Sequence, residues 1–390
     1  MLRSILSYST HAKHLRLQAP ASKGARSEAR VESLPLQAPP QGFVILKVLA
    51  AGFNRRDEWS MQGAYPGLTY PSTMGCDACG VVVDAKTGAE SRGGKQYLVV
   101  PTRGWKDDEA GPEGDLPGGS GGAVAQNRLG GKGFGLLGGT KQTGGVGCFT
   151  EYMTVEEDQL VESPPHLDAT EAAALPCGGV TAYRALFTKG RLRKGQNVLI
   201  TGIGGGVALI ALRFALAAGA NVFVTGGSQA KIDRAVSLGA TAGAIYKDAK
   251  AWPEAIRKSL PSDRPFLDVV IDSAGGPIPA QAIKAGLKPG GKLVCFGMTA
   301  QPRIDFTMRE VLKNVDLLGS TMGSEKEFRD CVAFVAANKV RLDVDCVLQG
   351  LEQARDQGFD LLREEGKRSG GKVVVSLASS ADDTRAAAKL

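Results

Sequence analysis

Residues 197–228, NVLITGIGGGVALIALRFALAAGANVFVTGGS, constrain the fold more than any other stretch of the chain. Val198, Leu199 and Ile200 form a short apolar run suited to a strand buried on both faces. Gly202, Gly204, Gly205 and Gly206 crowd one turn, and an almost uninterrupted apolar segment follows as far as Ala218. Gly219 stops it, and residues 221–225 read as a second strand. Strand, glycine turn, helix and strand in that order make a βαβ unit, the setting in which such a turn carries information.

The turn has a specific use. Glycine lacks a Cβ, so a pyrophosphate can lie against the main chain. N–H groups at the helix start, together with the helix dipole, favour its charge. Gly202 and Gly204 supply the first two glycines of a dinucleotide fingerprint, and Val207, beside Gly206, stands at the third. That departure loosens the helix–strand packing argument and leaves the phosphate contact intact. The competing reading is a glycine-rich turn that holds no nucleotide. The end of the second strand bears on which dinucleotide is expected. An NAD site places Asp or Glu there for the ribose hydroxyl. Here the residues are Thr225, Gly226, Gly227 and Ser228, with Lys231 following and no carboxylate before Asp233. Small residues and a lysine suit a 2′-phosphate, so NADPH is expected over NADH. The alternative for Lys231 is a solvated helix residue.

A chain of 390 residues is expected to form two domains. Its net charge of +7 is spread out, with no basic stripe interleaved with aromatics, which argues against a nucleic-acid partner. No apolar run reaches membrane-spanning length. Seven cysteines without regular spacing suit a reducing compartment. Arg3, Lys13 and Arg16, with no acid before Glu28, resemble a mitochondrial presequence, but this region is expected to supply the first strands. The terminal Ala388-Lys389-Leu390 is a variant of the peroxisomal small–basic–Leu signal, so a cytoplasmic or peroxisomal location is expected.

Residues 1–100 read as short strands and turns of a barrel-like, β-rich unit, with a loop or short helix over 50–67. Residues 105–147 are dominated by glycine and read as a long, mobile surface excursion. Residues 168–186 are helical in composition, with breaks at Pro176 and at Gly178-Gly179. Strands then alternate with helices through residue 321, the pattern of a parallel sheet covered on both faces. A helix over 325–338 and strands over 342–348 and 372–377 are expected to return to the β-rich unit.

Four stretches stand out: AAGFNRRD (50–57) followed by GAYPG, MGCDACGVV (74–82), AAALPCGGVTAYRAL (172–186) and VLITGIGGGVA (198–208), with GGKVVV (370–375) near the C-terminal side. Together they resemble the medium-chain dehydrogenase/reductase family, in its zinc-independent, quinone oxidoreductase-like branch. The resemblance implies an α/β fold: a Rossmann doubly wound parallel sheet plus a β-rich GroES-like catalytic domain built from both chain ends. The implied division is 1–165 catalytic, 166–321 NADP-binding, 322–377 a return to the catalytic domain, and 378–390 a tail. A homodimer is also implied. Where zinc-using relatives carry catalytic ligands, this chain holds Asn54, Cys76 and Cys177. Asn is a poor zinc ligand, and two cysteines with Asp77 make an irregular set, so no catalytic zinc is expected. A structural zinc lobe needs four close cysteines, and only Cys148 lies in that region. Cys76 and Cys79 form a CxxC whose simplest reading is core packing. His11 and His14 are expected at exposed strand positions and His166 on the surface, so no histidine relay is apparent.

Without zinc, hydride addition to a conjugated carbonyl or quinone is easier than alcohol oxidation, because charge delocalises into an enolate. Asn54, Asp57, Trp59 and Tyr65 match residues that line the cleft in this branch. Asn54 or Tyr65 is the expected oxyanion donor, with Tyr65 or water as proton source. Packing roles for Trp59 and Tyr65, and a turn cap for Asp57, are the competing readings. The resemblance further places Thr181 near the nicotinamide and Ser228, Lys231 and Tyr246 around the adenosine and its phosphate. Ser273, Gly297 and Lys372 fall where relatives contact the cofactor. The expected activity is an NADP(H)-dependent reductase of an enone, quinone or enoyl thioester. The alternatives are a zinc-dependent alcohol dehydrogenase, a trans-acting enoyl reductase and a non-catalytic nucleotide-binding protein.

Overall fold

In the computed structural model, which describes residues 11–22, 24–113, 127–364, 366 and 368–378, the chain opens on a β-rich unit. Its elements are β1 (His11–Leu17), β2 (Ala29–Pro35), β3 (Phe43–Gly52), α1 (Arg55–Met61), β4 (Ser72–Thr73), β5 (Asp77–Val83), β6 (Gln96–Val99), β7 (Thr102–Arg103), β8 (Gly135–Leu136), β9 (Tyr152–Glu156) and β10 (Leu160–Glu162). Helices α2 (Ala169–Ala173) and α3 (Pro176–Tyr183) lead into a βα alternation. It runs β11 (Asn197–Ile203), α4 (Gly206–Ala217), β12 (Asn221–Gly226), α5 (Gln229–Ser237), β13 (Ala242–Ile245), α6 (Ala251–Ser259), β14 (Leu267–Asp272), α7 (Ile278–Lys284), β15 (Leu287–Cys295), α8 (Met308–Leu312) and β16 (Asp316–Gly319). Then come α9 (Glu325–Asn338), β17 (Val344–Gln349) and β18 (Lys372–Ser376).

The six strands β13-β12-β11-β14-β15-β16 form one sheet in that order, and every neighbouring pair is parallel. The order reverses direction at β11, which places a crevice outside its carboxyl end, where the glycine turn lies. The larger β-rich sheet has the order β10-β6-β5-β3-β18-β17, with β9 also on β3. Val374 of β18 lies opposite Gly52 of β3. Strands from before and after the parallel-sheet stretch therefore meet in one sheet, and the first residue of β18, Lys372, comes to the ends of β3 and β5.

Local chemistry accounts for the element boundaries. Ser324 accepts from the Glu327 N–H while the Glu327 carboxylate accepts from the Ser324 N–H, a capping box that starts α9. Pro176 opens α3, where its missing N–H costs nothing. Gly178 and Gly179 do not break that helix as expected. They let it sit close to its neighbours: a Cβ on Gly178 would meet Ile210 Cδ1 at 2.8 Å, and one on Gly179 would meet Cys331 Sγ at 3.3 Å.

The glycine-rich excursion also differs from expectation over its described part. Thr102 and Arg103 pair with Leu136 and Gly135, and Trp105, Leu136 and Leu137 are buried. The glycines permit backbone-on-backbone packing in place of side-chain burial. A Cβ on Gly131 would stand 2.0 Å from the Gln142 carbonyl, and one on Gly147 2.2 Å from that of Thr73. The buried Arg184 ties the first part down. It donates to Glu327 at 2.8 Å and to the Glu109 carbonyl at 2.7 Å, and it stacks 4.5 Å from the Trp105 ring. Residues 114–126 of the excursion, the first ten residues and the tail with Ala388-Lys389-Leu390 lie outside the described residues.

One histidine expectation, that for His14, is corrected. His14 is half-buried, lies 3.2 Å from the Thr73 hydroxyl, and has its pKa lowered to about 4, chiefly by burial. His166 is tied to the Val340 carbonyl at 2.9 Å. Cys79 is fully buried beside Gln96, while Cys76 faces the site described next.

Candidate active site

Four short segments meet around Asp77. Asn54 stands at the N-cap of α1, Cys76 immediately precedes β5, which Asp77 opens, Cys177 lies in the first turn of α3, and Lys372 starts β18. Asp77 is wholly buried and Lys372 is 4% exposed. The Lys372 ammonium donates to Asp77 Oδ2 at 2.9 Å and to Asn54 Oδ1 at 2.7 Å. Asn54 Nδ2 donates to Asp77 Oδ2 at 2.9 Å, and the Cys177 N–H donates to Asp77 Oδ1 at 2.8 Å. The Cys76 thiol reaches the same oxygen at 3.6 Å. Burial opposes the charge on Lys372, but Asp77 and the neighbouring Cys177 outweigh it and raise the ammonium pKa. A hydrogen bond with Cys177, followed by burial, pushes the Cys76 thiol well above its ordinary range.

This arrangement redistributes the expected roles. Asn54 Oδ1 accepts from Lys372, and Nδ2 donates to Asp77 and, at 3.5 Å, to Cys76 Sγ, so both ends of its amide point into the cluster. Lys372, expected among the cofactor contacts, directs its ammonium into the cluster, while its stem lies against the glycine turn: a Cβ on Gly206 would meet Lys372 Cδ at 2.8 Å. Asp57 is buried on α1 and accepts from the Asn54 N–H at 2.8 Å. Burial pushes its carboxyl up to about 6, against the opposing pull of Arg56. Arg56 donates to the Leu137 and Gly138 carbonyls and stacks 4.4 Å from the Tyr65 ring. Tyr65 is half-buried, and burial raises its phenol pKa against the lowering effect of Arg56. Trp59 is half-buried on α1.

The cofactor candidates gather at the carboxyl ends of the parallel strands. Gly202 and Gly204 adopt φ of +66° and +116°, which L side chains rarely tolerate. Gly205 is exposed at the N-cap of α4, with φ −71°. Val207, in the first turn of α4, is half-buried. Lys231 lies along Gly204, where a Cβ would meet its Cδ at 2.9 Å, and the Tyr246 hydroxyl lies beside Gly227. Ser228 caps α5 without using its hydroxyl for the cap. These three side chains therefore gather at the end of β12, and residues 225–232 hold no carboxylate.

On the other side of the turn, Asp272 accepts from the Ala274 and Gly275 N–H groups at 3.0 and 2.9 Å and shapes the bend that carries Ser273. A Cβ on Gly297 would lie 3.7 Å from Ser273 Cβ, so the ends of β14 and β15 meet there. A cavity of about 430 Å³ continues from them, lined by Trp105, Pro112, Arg184, Phe296, Met298 and Thr321 among others. Thr181 is buried, and its hydroxyl donates to the Cys177 carbonyl at 2.7 Å.

The link missed from sequence is Lys372 to Asp77, which spans 295 positions. The available signal was a lysine heading the apolar run KVVV.

Residues 40–165 match the family model described as the alcohol dehydrogenase GroES-like domain, and residues 206–337 match the one described as zinc-binding dehydrogenase. The chain is 39% identical over 348 residues to the zinc-type alcohol dehydrogenase-like protein YogA of Leptosphaeria maculans, covering 87% of this chain and 92% of that protein. It is 27% identical to the acryloyl-coenzyme A reductase of Metallosphaera sedula, covering 92% of this chain and 100% of that protein. A solved NAD-dependent alcohol dehydrogenase superposes with a TM-score of 0.76 at 28% identity, covering 94% of this chain and 100% of the other.

Proposed function

Because the chain belongs to the medium-chain dehydrogenase/reductase superfamily, whose members bind a nicotinamide cofactor, and is an oxidoreductase of that family, we propose that it transfers hydride from NADPH to a conjugated carbonyl or quinone without zinc. The observation that carries the cofactor choice is the end of β12, where Ser228, Lys231 and Tyr246 gather and residues 225–232 hold no carboxylate to bind a ribose hydroxyl. Bound NADPH would supply the hydride; the glycine turn and the start of α4 would hold its pyrophosphate, and Ser273 and Gly297 would lie toward its nicotinamide half. The geometry fits this use: a Cβ added to Gly205 would meet no atom nearer than 3.7 Å, so the space above the turn is open.

Conjugated acceptors suit a site whose cation is buried in its own hydrogen bonds, because the electron pair delocalises as hydride adds. With the Asn54 amide engaged, Tyr65 takes the donor role. Its phenol, like any tyrosine's, is protonated at neutral pH, able to hydrogen-bond the developing oxyanion and return a proton. A second reading, reduction of an enoyl thioester, is favoured by the similarity to the acryloyl-coenzyme A reductase.

The test is oxidation of NADPH, with NADH in parallel, against quinones, enones, enoyl-CoA thioesters and aldehydes. Turnover of conjugated acceptors with tighter NADPH binding is expected. Equal or tighter NADH binding sinks the cofactor assignment, and binding without turnover moves weight to a non-catalytic role. Tyr65→Phe is expected to lower kcat about 100-fold with KM little changed. An unchanged kcat removes Tyr65 from the chemistry.

The same reading makes the protein a homodimer. β16 lies at the edge of the six-stranded sheet with Leu317 exposed on it, and Phe306, Met308, Val311 and Leu312 are exposed in the segment that precedes it. Such an edge and apolar face suit self-association by a two-fold axis. Sedimentation velocity is expected to show a dimer that Leu312→Glu weakens; a monomeric wild type removes this part of the proposal.

A further inference from the structure

A catalytic zinc site takes three protein ligands and leaves a fourth position open. Four groups around Asp77 have suitable atoms: the Cys76 and Cys177 sulfurs, the Asp77 carboxylate and the Asn54 amide oxygen. Single atoms of Cys76, Asp77 and Cys177 lie within 4.8 Å of one another, so at first sight the donor set looks complete. Its hydrogen bonds say otherwise. A carboxylate has about four acceptor sites. Asp77 uses one oxygen for Lys372 Nζ and Asn54 Nδ2, and the other for the Cys177 N–H and the Cys76 thiol. The Asn54 oxygen also accepts from Lys372, so a second cation bound through it or through Asp77 Oδ2 would stand against the ammonium. The other Asp77 oxygen already accepts from the Cys177 N–H, which leaves the two sulfurs as the donors with no hydrogen bond from Lys372 and no backbone N–H to satisfy.

We propose that the ammonium of Lys372 is the resident cation of this site, and that by occupying Asp77 and Asn54 it withholds the oxygen ligands a divalent metal needs. The cation is tethered. Lys372 is pinned by its backbone N–H to the Asp343 carbonyl at 2.9 Å, and the preceding Gly371 N–H donates to the Gly204 carbonyl at 3.2 Å. Unlike a metal, it does not exchange with solvent, and its strand touches the glycine turn. The cluster is therefore a latent metal site closed by one side chain. The inference deepens the zinc-free reading above and rests on it.

Metal content and cadmium titration of the full chain, purified without chelators, test it by a readout independent of turnover. Cadmium reports thiolate coordination through ultraviolet charge-transfer absorption. Wild type is expected to carry no stoichiometric zinc and to show no such band at one equivalent of cadmium. Lys372→Met is expected to bind one cadmium at least about tenfold more tightly, and to lose the band when Cys177→Ser is added. Should Lys372→Met fail to fold, Asp77→Asn/Lys372→Met removes both buried charges together and frees the Asn54 oxygen; the same gain is expected. Stoichiometric zinc in wild type that disappears in Cys76→Ser overturns the inference, as does cadmium binding equal in wild type and in whichever of the two variants folds. An inactive acceptor panel overturns the reductase reading and leaves the metal result unaltered, so the two failures are distinguishable.

Discussion

Gly205→Val is expected to leave the cofactor-free protein folded and to weaken NADPH binding by about 100-fold or more. Most glycines of the turn cannot separate these effects. Gly202 and Gly204 have positive φ, and a Cβ on Gly206 would strike the Lys372 stem. A valine at any of them would strain the fold itself. Gly205 is different: its φ of −71° and ψ of 146° are ordinary for an L residue, and an added Cβ would meet nothing closer than the Gly202 carbonyl at 3.7 Å. The open space is where a phosphate would approach the first N–H groups of α4. An isopropyl group there blocks that approach, and the loss of a close phosphate contact together with its helix-dipole stabilisation reaches about 3 kcal/mol, or roughly 100-fold. Thermal unfolding without cofactor and a fluorescence titration with NADPH are the paired measurements. Wild-type affinity in a normally folded Gly205→Val removes the glycine turn from cofactor binding.

Asp77→Ala is expected to cost about 3–5 kcal/mol of stability, the range for breaking a fully buried ion pair by deleting one partner. Asp77 accepts four hydrogen bonds and is wholly buried, so its loss leaves the Lys372 ammonium, the Asn54 amide and the Cys177 N–H without their acceptor. The largest part of the cost is the uncompensated charge. Adding Lys372→Met to Asp77→Ala removes that charge, so the double variant is expected to regain more than half of the lost stability. Urea unfolding of the four forms closes the cycle. Additive losses would mean that the two residues do not act as a pair. Their placement joins stability to site geometry, since β18 reaches Asp77 only when the last strand has paired with β3.

Helix α9 was legible to the residue because its signals are local: a capping box at Ser324 and Glu327, then an apolar stripe. The parallel strands were legible because burial on both faces requires continuous apolar runs, as in Val198–Leu199–Ile200. Residues 127–147 were misread because backbone-on-backbone packing leaves no side-chain pattern; glycine there marks close approach, and composition alone suggests mobility. His14 meets the Thr73 hydroxyl, 59 positions away, so no local pattern could announce that contact.

The candidate site divides along the same line. The sequence by itself determined the βαβ unit, its glycine turn, the missing carboxylate after β12 and the residue types Asn54, Cys76, Asp77 and Cys177. Each of these is a property of one short segment, written in spacing and side-chain chemistry. Only the tertiary structure decided that Lys372 turns its ammonium toward Asp77 and Asn54. That contact joins residues 295 and 318 positions apart, and it exists because β18 crosses back to β3 and buries a charge that only a buried partner can stabilise.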